Sequence, residues 1–121
     1  MPHRGKDNVV QDRVRLLHMR DAAIDASAYL RGRTRADFDS DSMLLRAVVH
    51  CLQVIGEAAA RVSDETRASA PQIPWKKIVG MRHILVHVYY DIDADTVWRV
   101  AETDLAPLLK LITEALDQWP A

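Results

Sequence analysis

From about Ser42 to Val62 the chain is apolar nearly all the way round a helical wheel, and a helix of that kind has to be surrounded by others. One narrow exception runs along it. Arg46, His50, Gln53 and Glu57 recur at i, i+4, i+7 and i+11, within an arc of roughly 60°. This polar stripe reads equally as the wet edge of a packed helix and as the wall of a groove where Glu57 holds a cation such as Arg82. Gly56 interrupts the same helix at a cost of about 1 kcal/mol against Ala. Close approach of a neighbouring backbone would offset that cost. Ser40 or Ser42 can cap the helix at its start.

The rest of the chain supplies the surrounding helices. Residues 1–6 read as a frayed, disordered end. From about Asp7 to Leu30, Val10, Val14, Leu17, Ile24 and Ala28 keep a seven-residue apolar beat, interrupted by Asp21, which predicts a long amphipathic helix stopped by Gly32. Arg33 to Ser40 should be loop, anchored by Phe38. Ser63 caps a short helical turn, and Pro74 is placed to start a third helix, with Trp75 packed at its entrance. Asp93 or Asp91 can cap a fourth helix from Ala94, with Val97, Trp98 and Ala101 inward. Thr103 and Pro107 predict a break before a last helix carrying Leu108, Leu111, Ile112, Ala115 and Leu116. The expected fold is all-α, a four- to five-helix up-and-down bundle in one domain over residues 1–121.

Composition agrees with that and excludes several functions. With 49% apolar and 27% charged residues the chain reads as a soluble globular domain. No apolar run approaches the ~20 residues of a membrane span and no signal segment is visible, so a cytoplasmic location with no membrane contact is expected. Cys51 is alone, which leaves no internal disulfide or cysteine metal cluster. A net charge of -1 does not suit coating nucleic acid by bulk electrostatics. A polyanion would have to meet a local patch, and Arg31, Arg33 and Arg35 make one candidate, although charge runs are as often plain solvated surface.

Chemistry concentrates between Met81 and Asp93. Met81, Ile84, Leu85 and Val88 fall on one helical arc of roughly 100°, and Arg82, His83, His87, Tyr89 and Tyr90 lie off it. A permanent cation, a group titrating near neutrality and a phenol are tools for work on a phosphate. His83 and His87, at i and i+4, could also share a metal, but no third ligand stands nearby. Arg82 and His87 are five apart and point roughly 140° from each other on a regular helix. One chain therefore makes a poor clamp, and two copies about a twofold axis would make a better one.

Arg82-x-x-x-x-His87-x-Tyr89 resembles the signature of HepT-like toxins of the HEPN superfamily, and the run Val54-Ile55-Gly56-Glu57-Ala58-Ala59, then Ile73 to Arg82, His87-Val88-Tyr89, Asp93 and Trp98 resembles that family in order and spacing. One departure is His83, where such proteins usually carry another polar residue. The resemblance implies a homodimeric, metal-independent endoribonuclease with no cofactor, acting on RNA through Arg82 and His87 with Glu57 in support, and His83 is a further supporting candidate by its place beside that pair. It also implies a toxin–antitoxin role, with a minimal nucleotidyltransferase of MntA type attaching AMP to Tyr89 to silence the toxin. Tyr90 is a second candidate for that modification, and Tyr89 could instead be a rim aromatic. The alternative is a non-catalytic subunit that holds nucleotide or substrate for a small nucleotidyltransferase.

Overall fold

Asp41 opens the central helix, its carboxylate accepting the Leu44 backbone N–H at 3.0 Å. That satisfies one of the donors a helix start leaves bare, and it displaces the serines expected in the role. The computed structural model describes residues 3–88 and 93–119, with backbone alone for residues 3–8 and 84–88. Its described elements are α1 (His3–Leu30), α2 (Asp37–Ser40), α3 (Ser42–Ala60), α4 (Asp64–Ser69), α5 (Trp75–Val88) and α6 (Ala94–Asp117). The all-helical expectation stands, as four long helices with two short ones between them.

Helix α3 is the centre. It packs against α1 on one side and α5 on another, and α1 also packs on α6. By length and composition alone α3 could cross a membrane, a run the sequence reading did not find. Its apolar surface is instead spent on the bundle, where Leu44, Val48, Leu52, Ile55 and Ala59 are buried. Cys51 is buried beside them, and that burial pushes its thiol pKa up, with Asp25 adding to the shift. The thiol is an inert small hydrophobe, as its apolar neighbours implied.

Three local outcomes differ from the sequence reading. Helix α1 begins at His3, ahead of the expected Asp7, and ends where Gly32 turns the chain at φ 74°. Part of the expected loop coils into α2, which seats Phe38 edge-on against Trp98 at 5.5 Å. The third is that α6 runs unbroken through Pro107. Proline removes one N–H from a helix interior. Pro107 is exposed, so its loss is on the watered side, while Val100, Ala101, Leu105, Leu108 and Ile112 hold the other side in the core.

The corner between α3 and α5 is held by polar groups. Arg67 donates to the Ala59 carbonyl at 2.9 Å and the Val62 carbonyl at 3.2 Å, closing the end of α3. Its guanidinium lies 5.8 Å from the Trp75 ring centre, and Trp75 Nε1 donates to the Ala70 carbonyl at 3.0 Å. The end of α3 thus meets the start of α5, and the two helices run antiparallel. Asp12 of α1, 3% exposed, accepts from Ser63 N, Ser63 Oγ and Thr66 Oγ1 at 3.1, 2.5 and 2.6 Å. This carboxylate, unremarked in the sequence, ties α1 to the head of α4.

Candidate active site

Gly56 and Arg82 touch through their backbones. A Cβ built on Gly56 would lie 2.7 Å from Arg82 N, 3.1 Å from Arg82 Cβ and 3.3 Å from Arg82 Cα. No side chain fits there, so glycine lets α5 descend onto α3 at the residue that carries the signature's guanidinium. The close approach expected from Gly56 is therefore present, and its neighbour is Arg82. With its Cβ pressed to α3, Arg82 leaves the seam between the two helices and is exposed at its rim.

The polar stripe of α3 lies round the helix from Gly56, on the solvent side. Arg46, His50, Gln53 and Glu57 are all exposed. Glu57 accepts a hydrogen bond from Gln53 Nε2 at 3.3 Å. The ion pairs among the described residues do not include one from Glu57 to Arg82, so the support expected from Glu57 is not made directly. The reason is geometric. Glu57 points out along the stripe, about 100° round α3 from Gly56, where Arg82 lies. His83 is exposed on α5 next to Arg82. Position 87 is on α5 about 7.5 Å further along the axis and roughly 140° round from Arg82, and the His87 side chain is outside the described set. Tyr89 and Tyr90 also lie outside the described residues. Within one chain the helix does not turn positions 82 and 87 to the same side.

Helix α5 is fixed from its other flank too. Lys77 Nζ donates to Asp104 Oδ1 of α6 at 2.9 Å, a partner the sequence reading missed because the pair is 27 positions apart. A cleft of about 230 Å³ lies between these helices, lined by Ile78, Met81, Pro107 and Leu108 among others, and another of about 280 Å³ lies near Thr66 and Trp119. Neither includes Arg82 or His83. At the start of α6, Arg35 bridges Asp95 at 2.6 Å and Asp39 at 3.1 Å. Asp95 first and Asp39 second raise the pKa of its guanidinium. Arg35 is thus a brace between α2 and α6, and not a free member of the arginine patch. Among the described residues no three His, Cys, Asp or Glu side chains converge as metal ligands would.

The family model described as "Ribonuclease HepT-like" matches residues 19–115. A protein named "Putative RNase" in Methanocaldococcus jannaschii is 31% identical over 90 residues, covering 74% of this chain and 83% of the relative. One of the same description in Caldanaerobacter subterraneus subsp. tengcongensis is 34% identical over 89 residues, covering 74% and 80%. A "Probable ribonuclease HepT" of Thermococcus cleftensis is 32% identical over 72 residues, covering 60% and 66%. No solved structure matches the chain. The chain belongs to the HepT-like ribonuclease family, and its activity class is endoribonuclease acting on RNA.

Proposed function

We propose that the protein is the toxin of a toxin–antitoxin pair, working in the cytoplasm as a homodimer that cuts RNA without metal. The observation that carries this reading is the Gly56 contact, which seats Arg82 at an exposed helix seam as a fixed positive charge. Cleavage requires a base for the ribose 2′-OH, an acid for the leaving 5′ oxygen and positive charge on the phosphorane-like transition state. Arg82 supplies the charge and His87 the proton transfer, giving a 2′,3′-cyclic phosphate and a 5′-hydroxyl. Because the two positions diverge on one helix, Arg82 of one copy works with His87 of the other. The antitoxin is a minimal nucleotidyltransferase that attaches AMP to Tyr89. Seven residues on from Arg82, that position shares its helical face to within about 20° if the turn continues. The added phosphate would then engage Arg82 and its bulk would exclude RNA.

Arg82→Ala and His87→Ala are each expected to lose RNA cleavage and growth inhibition. Arg82→Ala should keep the wild-type melting temperature, since its side chain is exposed. Full activity in either variant removes the role assigned to that residue. Peptide mapping after incubation with the partner enzyme and ATP should find AMP on Tyr89, and AMP on Tyr90 alone would remove the regulatory part.

A further inference from the structure

Helix α1 is apolar on two opposite sides. One side, with Leu16, Met19, Ala23 and Ala26, is buried in the bundle. The seven-residue beat found in the sequence is the other side. Its members are centred roughly 150° from the buried row. Val10 is 63% exposed, Ile24 45% and Val14 39%. A single chain leaves much of their surface uncovered, although Leu17 of the same row is partly buried, and this corrects the reading of the beat as an ordinary amphipathic face. The row also lies across the bundle from the signature, since α1 packs on α3 and α6 and α5 sits beyond α3.

The spacing identifies the occupant. Positions 10, 14, 17, 21, 24 and 28 alternate by four and three, the seam of a paired helix. The series is also symmetric about its midpoint, so that an antiparallel copy sets 10 against 28, 14 against 24 and 17 against 21. Every seam residue then meets a seam residue. A parallel copy would instead stack Asp21 on Asp21, two like charges in the middle of an apolar contact. In the antiparallel pair Asp21 faces Leu17 and keeps Arg20 beside it, whose Nε is 3.7 Å from its carboxylate. The flanks are polar, with Arg13 and Arg20 on one side and Gln11, His18 and Asp25 on the other, as the rim of an interface is. We infer that α1 pairs antiparallel with α1 of a second copy of this chain, through the seam from Val10 to Ala28. Together with a dimer through the signature face, this contact builds an assembly larger than a dimer.

Sedimentation equilibrium of the full chain at micromolar concentration tests the contact without reference to RNA cleavage. Val14→Lys and Ile24→Glu should each cut the assembly mass at least twofold. The double variant should restore it, because each new ammonium then faces a new carboxylate across the seam. Both positions are exposed, so the helical circular dichroism and melting temperature should not change. Unchanged mass in both single variants overturns the interface, and failure of the double variant to restore it overturns the antiparallel pairing. Disulfide trapping gives an independent reading. An oxidised mixture of Val14→Cys and Ile24→Cys chains should yield a covalent dimer that neither gives alone, and its absence also overturns the proposal.

Discussion

Gly56 is conformationally ordinary, yet no other residue fits its place. The atom it lacks would stand 2.7 Å from the Arg82 backbone nitrogen, and a helix backbone cannot yield as a side-chain tip can. Gly56→Ala gains about 1 kcal/mol of helix propensity, against overpacking of about 1–3 kcal/mol. The expected net change is a modest loss of stability, read by chemical denaturation. Cleavage should fall much further than stability, because the displacement falls on Arg82, the residue proposed to stabilise the transition state. A Gly56→Ala protein with wild-type cleavage would show that Arg82 need not sit at that depth. Asp12 makes the contrasting case, a buried carboxylate whose three donors come from residues more than fifty positions away. Its role is to lock the head of α4, and its position in α1 gave no hint of it.

At the scale of elements, the helix starts carry much of the order. Asp93 caps α6, accepting from Thr96 Oγ1 at 2.7 Å and Thr96 N at 3.1 Å. The Thr96 hydroxyl first, and the Thr96 amide second, hold its carboxyl below the usual carboxylate range. A folded-state pKa below the unfolded one gives stability that is present above the unfolded value and lost as pH falls through the folded one. The cap should therefore contribute fully above about pH 5 and fade below the ordinary aspartate pKa of about 3.9. Asp93→Asn keeps a capping oxygen but not the titration. The difference in melting temperature between wild type and this variant should be flat from pH 7 to 5 and shrink at pH 3. A constant difference at all three would show that the cap's charge is not stabilising. The same helix shows how packing overrides propensity, since Thr103 and Pro107 marked a break that the buried row from Val100 to Ile112 does not permit.

At the scale of the molecule, the proposed composite site needs two chains, because positions 82 and 87 diverge on one helix. Mixing inactive Arg82→Ala and His87→Ala proteins, with subunit exchange, should restore roughly a quarter of wild-type cleavage. Half the dimers are then mixed, and each holds one intact composite site of two. No recovery after demonstrated exchange would place both groups in one chain. Local chemistry determined much of this protein in advance: the central helix from its apolar wheel, the caps at Ser63 and Asp93, the stop at Gly32, and a close contact at Gly56. Those depend on a residue and its near neighbours, and period and turn chemistry carry them. What only the tertiary structure decided was which of two apolar rows on α1 faces inward, which backbone fills the space at Gly56, and where Asp12, Arg35 and Lys77 find partners. Both rows of α1 have helical periodicity, and nothing in a period says which one meets the bundle. Apart from the local Arg35–Asp39 pair, the partners lie 27 to 60 positions apart, a separation that only the packing of whole helices closes.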